Sequence, residues 1–197
     1  MSGAYNKLIR ISIILCLFVF TMLCWFNLEY IIIVATTNMQ EFVFSILSIA
    51  TKSIGLTTIF VTFFNKWLWR WKLFKFLAGD MPVLAEKYKG KLRFEYNGKV
   101  QERDSCIFIK QTFLSIFIRL ETDESCSNSL TAVINEYNSS KSLIYTYLNT
   151  PRAEILDRSA IHFGTAMLNI DEDQETLSGN YFTIRNSRGS MKFYVKD

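Results

Sequence analysis

The chain has 197 residues, half of them apolar, with 22 basic and 18 acidic side chains and a single histidine. That length holds one soluble domain plus a membrane anchor. Up to Gly79 seven basic residues face only Glu29 and Glu41, whereas from Asp80 onward 15 basic residues are balanced by 16 acidic ones. The soluble part therefore lacks the positive surplus that binding to DNA or RNA polymers requires.

The first element is an apolar segment from about Leu8 to Val34, uncharged between Ile11 and Leu28. A hydrocarbon core of about 30 Å takes about 20 helical residues to cross, so this segment spans it with length to spare. A signal peptide is the competing reading, because Lys7 and Arg10 precede the run. The run is too long for such a leader, and no small-residue cleavage pattern follows it. A second apolar segment, about Phe42 to Phe64, also suffices to cross. The short polar linker Thr36–Gln40 predicts an antiparallel hairpin. Lys7 and Arg10 flank its start, Lys66, Arg70, Lys72 and Lys75 flank its end, and the linker has no basic residue. The Lys/Arg bias thus predicts both termini on the cytoplasmic side. Trp67, Trp69 and Trp71, interleaved with Arg70, predict an aromatic belt at the headgroups of membrane lipids.

Lys52 is the unusual residue of the hairpin, since a lysine near mid-membrane costs about 2.5–3.5 kcal/mol on insertion scales. It lies on a stripe of small and polar residues, Ser45, Ser48, Lys52, Gly55, Thr58 and Thr62. Such a stripe packs helices closely or lines a polar path. An ion pair with Glu29 on the first helix is the simplest partner for it.

After Phe76 the pattern changes to alternation with period two, which marks strands. Eight candidates follow: Lys89–Asn97, Ser105–Gln111, Phe113–Thr122, Ser127–Asn135, Leu143–Asn149, His162–Ile170, Leu177–Arg185 and Ser190–Lys196. Turns separate most of them, among them Asn97-Gly98, Asn138-Ser139-Ser140 and Asn186-Ser187-Arg188-Gly189. The longer gap Pro151–Ala160 has room for a helical turn. The expected fold is a two-helix transmembrane hairpin (residues 1–79) followed by an all-β, eight-stranded antiparallel up-and-down barrel (80–197), small and lipocalin-like. Closure removes the exposed edges of an open sheet. Cys106 and Cys126 could form a disulfide only in an exported domain; the predicted topology makes them two free thiols.

The strand faces suggest a ligand. Tyr145, Tyr147 and Asn149 share one face with Leu143, and Gly179, Tyr181, Thr183 and Arg185 share another. Thr122, Ser125, Ser127 and Ser129 cluster at the turn between strands three and four. Tyrosines stack on bases, arginine pairs with phosphate bidentately, and hydroxyls and amides supply neutral hydrogen bonds. Together these suit a small, planar, anionic ligand such as a nucleotide. The alternative is that alternating tyrosines merely cover the outside of the barrel. No enzyme is expected: a lone histidine, His162, is the only imidazole. No metal-ligand spacing, phosphate loop, nucleophile elbow or dinucleotide fingerprint occurs. Asp171-Glu-Asp173 reads as a solvated turn, and no cofactor is expected.

Several local patterns carry a family likeness: Pro82-Val-Leu84 leading to Tyr88-Lys-Gly90; Gln111-Thr-Phe113 with Ile116-Phe-Ile118; Tyr145-Thr-Tyr147-Leu-Asn149-Thr-Pro151; His162-Phe-Gly164; and Leu177-Ser-Gly179-Asn-Tyr181-Phe-Thr183-Ile-Arg185. In this order, behind a transmembrane hairpin, they resemble the CD-NTase-associated β-barrel effectors of bacterial CBASS anti-phage systems over nearly the whole chain. One departure is Ala85-Glu-Lys-Tyr88-Lys-Gly90, where a Gly-x-Trp-x-Gly-type start is expected. The resemblance implies a cyclic nucleotide second messenger of two or more nucleotides as ligand. It also implies an inner-membrane location, assembly into homo-oligomers on activation, and membrane disruption that ends infection abortively. On it, Arg185 is expected to take a phosphate, Tyr147 and Tyr181 to stack on bases, and Thr122, Ser127, Asn149 and Thr183 to make polar base or ribose contacts. A membrane-tethered lipocalin-like carrier, or a docking barrel for an apolar ligand or protein partner, is the alternative; it needs an aliphatic lumen.

Overall fold

The computed structural model describes residues 2–96, 99–137 and 140–195. It divides into two compact units, Met1–Asp80 and Met81–Asp197. The turn residues Asn97-Gly98 and Asn138-Ser139, and Lys196, lie outside the described residues.

The first unit holds three principal helices, α1 (Ser2–Phe26), α2 (Leu28–Thr37) and α3 (Met39–Lys66). Two of them, over Tyr5–Phe26 and Met39–Lys66, are long and apolar enough to cross a membrane. The expected continuous first helix is interrupted at Asn27, whose side-chain amide donates to the Leu23 carbonyl at 2.8 Å. A side chain that bonds locally to backbone competes with the helical ladder. The expected linker shrinks to Asn38, whose Oδ1 caps α3 by accepting from the Gln40 and Glu41 amides at 3.1 and 3.3 Å. Asparagine is a strong N-cap, and Glu41 in the first turn suits the positive end of the helix dipole.

The packing face of α3 differs from the stripe that sequence picks out. Ile49, Ser53, Thr57 and Phe64 are buried, whereas Ser48, Lys52, Gly55, Thr58 and Thr62 are exposed. Lys52 lines a cavity with Asn27, Tyr30, Glu41 and Ser45. Glu29 is exposed, and among the described residues no ion pair joins it to Lys52. Beyond α3 the chain makes short helical turns, at Leu68–Arg70 and then Lys72–Phe74. Trp69 is buried there while Trp67 and Trp71 remain exposed, so two of the three tryptophans of the expected belt present their rings outward.

The second unit is a closed barrel of eight antiparallel strands in sequence order: β1 (Lys87–Tyr96), β2 (Lys99–Gln111), β3 (Ile116–Thr122), β4 (Ser125–Tyr137), β5 (Ser140–Pro151), β6 (His162–Ile170), β7 (Thr176–Thr183) and β8 (Arg188–Val195). Closure comes from β1 pairing with β8, with Gly90 opposite Phe193. β2 begins six residues earlier than its apolar alternation suggests. β3 begins later, because Thr112 and Ser115 close a turn through their hydroxyls at 2.8 Å. β7 stops at Thr183 rather than Arg185, since Asn186 takes a left-handed φ of 59°, a region that Asn tolerates better than most residues. The gap after β5 holds the expected helical turn, at Ala153–Ile155. Cys106 and Cys126 are unbridged.

Inside, the barrel is divided along its axis. The end where the chain enters is filled by Leu84, Tyr88, Ile107, Ile109, Ile118, Leu143, Leu168, Leu177 and Phe193, all buried. The segment before β1 is laced across this floor. Gln111 accepts from the Leu84 amide at 2.9 Å and donates to the Pro82 carbonyl at 2.8 Å. Tyr88, at the expected tryptophan position, is fully buried; its hydroxyl donates to the Gln174 carbonyl at 2.8 Å and accepts from the Ala85 amide at 3.0 Å. The tyrosine therefore plugs the floor as a large aromatic does, and its polar tip is satisfied. At the opposite end lie the β3–β4, β5–β6 and β7–β8 connections, and there the interior opens.

Candidate functional site

The open end is a cavity of about 270 Å³. All seven residues expected at the ligand site, Thr122, Ser127, Tyr147, Asn149, Tyr181, Thr183 and Arg185, line it. Strand alternation explains why. The faces of β5 and β7 that carry Leu143 and Leu177 into the dry floor carry Tyr147, Asn149, Tyr181 and Thr183 into the mouth. The tyrosines thus point inward, and the outer-cover reading of them is corrected.

Two glycines set the aromatic rings. Gly164 on β6 lies opposite Tyr147 on β5, and a Cβ there would fall 2.3 Å from the Tyr147 ring carbon Cζ. Gly189 on β8 lies opposite Tyr181, and a Cβ there would fall 2.6 Å from Tyr181 Cε1. Each ring occupies a notch that only glycine leaves open, which fixes where its face lies. Tyr145 packs below Tyr147 in a tilted arrangement, with ring centroids 5.8 Å apart and ring planes at 46°. Burial pushes the phenols of Tyr147 and Tyr181 above their ordinary pKa, so both remain neutral and offer an O–H.

The polar wall runs from the β3–β4 turn to β5. Thr122 Oγ1 accepts from the Ser125 amide at 3.0 Å, and Ser125 Oγ accepts from Asn149 Nδ2 at 3.3 Å. Ser127, opposite Asn149 across the β4–β5 ladder, is buried. Asn149 Oδ1 is buried without a hydrogen-bond partner. An amide oxygen buried in this way costs about 1–3 kcal/mol unless a donor reaches it, so Asn149 is an open acceptor in this wall. Ser129, which the sequence places in the same cluster, serves the fold instead: its hydroxyl accepts from the Ile118 amide at 2.9 Å beside the β4 bulge at Leu130.

On the other side, Thr183 and Ser187 join hydroxyls at 2.5 Å across the β7–β8 turn. Arg185 projects from that turn, and its Nη1 donates to Ser159 Oγ and to the Ala160 carbonyl, both at 3.1 Å. His162 Nδ1 also lies 2.9 Å from that carbonyl and 3.5 Å from Arg185 Nη1. Arg185 thus bonds neutral groups at the rim, and among the described residues no carboxylate is paired with it.

Sequence reasoning missed four charged residues of this mouth. Glu95 on β1, Arg103 on β2, Glu124 in the β3–β4 turn and Arg158 in the β5–β6 connection all line it. Glu124 accepts from both arginines through its two oxygens, from Arg158 Nη2 at 2.5 Å. Its carboxyl is held below the ordinary pKa, chiefly by the hydrogen bond from Arg103. Arg103 was within reach of pattern reading: continuing the inward alternation Ile109, Ile107, Ser105 one step back arrives at it. Arg158 carries no periodic signal, and only the tertiary fold brings it to the cavity.

The arrangement is therefore a mouth with inward aromatic faces, neutral donors and acceptors, one unfilled acceptor, and three guanidinium groups. Residues 80–194 match the model of the Cap15 cyclic dinucleotide receptor domain. A relative from Staphylococcus schleiferi, described as CD-NTase-associated protein 15, is 29% identical over 168 residues, which cover 85% of this chain and 90% of the relative. With two helices able to span a membrane, a closed eight-stranded barrel and a match over more than half its length, this chain belongs to the Cap15 cyclic dinucleotide receptor family.

Proposed function

We propose that the chain is a two-span membrane effector of an anti-phage CBASS system. A cyclic dinucleotide binds in the barrel mouth, drives the protein into homo-oligomers and thereby disrupts the inner membrane of the infected cell. The observation that carries this reading is the mouth itself: inward tyrosines, an unfilled Asn149 acceptor and three arginines converge above a filled floor. Two phosphodiesters need cations at one place, two bases need flat apolar faces, and base edges need neutral donors and acceptors. A carrier for an apolar ligand would need the reverse lining. The work of the site is binding, not catalysis, and it uses no cofactor. Both termini are cytoplasmic by the Lys/Arg bias, the side on which such a messenger would be made.

Assembly finds support on the outer surface of β6 and β7, where Phe163, Met167 and Phe182, with Ile184 just after β7, are each at least half exposed. An exposed apolar band of this kind is suited to contact between copies. A ligand drives assembly only through higher affinity for the assembled state, and each tenfold preference contributes about 1.4 kcal/mol.

The test is thermal melting of the full chain in detergent against a panel of cyclic di- and trinucleotides. A shift with one member and not its isomers supports the receptor. Arg185→Ala should then lose ligand-induced oligomers while the free barrel remains folded, as a cooperative melt shows. No shift with any member, on folded protein, would turn attention to the carrier or docking reading.

A further inference from the structure

Among the described residues Glu124 is the one carboxylate shared by two arginines of the mouth, and it joins three separate elements: β2 through Arg103, the β3–β4 turn through itself, and the β5–β6 connection through Arg158. That connection is tied down along its length. Its start is held by the Arg152 amide donating to the Glu124 carbonyl at 2.8 Å. Ile155 buries its short helical turn, and the Ser159 amide donates to the Ile155 carbonyl at 2.9 Å. Its far end is clipped by Arg185 on Ser159 and Ala160. Carboxylate and phosphodiester oxygens present guanidinium with the same chemistry, two adjacent anionic acceptors that a planar fork matches. Arg103 and Glu124 have side chains about one-quarter exposed, whereas Arg158 is 63% exposed. The pair is thus open to a ligand, and Glu124 has a path to solvent.

We propose that Arg103 and Arg158 form a phosphodiester site whose resident anion is the Glu124 carboxylate, and that a cyclic dinucleotide binds by displacing that carboxylate. The inference rests on the receptor reading above and adds its regulation. In the empty receptor Glu124 keeps both guanidiniums ordered inside the mouth, and Asp123, 3.5 Å from Arg103 Nε, supplies a second carboxylate that stays on Arg103, so the site is preorganised with its positive charge offset. When a phosphodiester takes its place, the arginines exchange one anion for another. Glu124 then leaves for solvent, and the clip between the β3–β4 turn and the β5–β6 connection opens. Ligand affinity is set partly by this internal competitor, and the opened connection is the part of the barrel that changes on binding.

The experiment uses the full chain in detergent and compares wild type with Glu124→Gln, which keeps the size and removes the charge. The probes are inorganic pyrophosphate and the cyclic dinucleotide panel, both read by calorimetry. Glu124→Gln should bind both about fivefold tighter or more, and adding Arg103→Ala should abolish the gain. Equal or weaker binding of pyrophosphate and of the cyclic dinucleotide by Glu124→Gln overturns the exchange while leaving the receptor reading intact. A gain for pyrophosphate with no cyclic dinucleotide bound by either protein supports the anion site and refutes the receptor reading. If neither probe binds either protein, both proposals fall. Should the glutamine variant not fold, Glu124→Ala is read in the same way.

Discussion

Replacing Gly164 by alanine tests whether the Tyr147 ring is where the ligand needs it. A Cβ at position 164 would lie 2.3 Å from Tyr147 Cζ and 2.4 Å from its hydroxyl oxygen. Carbon atoms in contact prefer roughly 3.5–4.0 Å, so the ring must retreat by about 1 Å or more. Tyr147 is 6% exposed and packs on Tyr145, which leaves the mouth as the direction of least resistance. Overpacking of this kind costs about 1–3 kcal/mol of stability. Loss of a base-stacking platform costs about 1–3 kcal/mol of binding, which is roughly 5- to 150-fold in Kd. Calorimetric titration with the cyclic dinucleotide and thermal melting of the same protein read the two effects separately. Gly164→Ala should lower both, and the double variant Gly164→Ala with Tyr147→Ala should bind no worse than Tyr147→Ala alone, because the clash acts through the ring. Wild-type Kd and melting temperature in Gly164→Ala would refute the notch. A lower melting temperature with unchanged Kd would remove Tyr147 from the ligand.

Asn149→Ala should weaken ligand binding while leaving stability unchanged or slightly higher in urea titration, because it removes a buried acceptor that the empty protein leaves unfilled. Glu124 has a folded-state pKa below its unfolded value of about 4.3. Its clip therefore stabilises fully above that pH, and the contribution is lost as pH falls through the lower folded value. Urea midpoints of wild type and Glu124→Gln should differ at pH 7 and converge toward pH 3; a constant difference would refute the assignment. In the hairpin, Glu29→Lys combined with Lys52→Glu should rescue neither single variant in membrane insertion. Lys52 shares its cavity with Glu41 and not with Glu29, and a rescued double variant would contradict that placement.

Much of the architecture is legible in the residues alone. The long uncharged run after Ile11 and the nearly uncharged run after Ile31 announce two spans, since lipid leaves backbone groups no partner outside a helix. The alternation Leu143, Tyr145, Tyr147, Asn149 sorts one face of a strand without knowledge of its neighbours. What sequence leaves open there is the sense of that face, because an outward tyrosine row has the same period. Closure of β1 on β8 decides it: the face bearing Leu143 and Leu177 must be dry, and the tyrosines follow it inward. Tertiary structure also decides the helix face in the hairpin. Ile49, Ser53 and Thr57 are the buried residues there, although the Ser48–Lys52–Gly55 stripe is the more conspicuous pattern. The site's charge is decided in the same way. Arg103, Glu124 and Arg158 are separated by 21 and 34 residues along the chain. Periodicity reports which side of its own element a residue occupies, and only the folded barrel brings residues from three elements to one carboxylate.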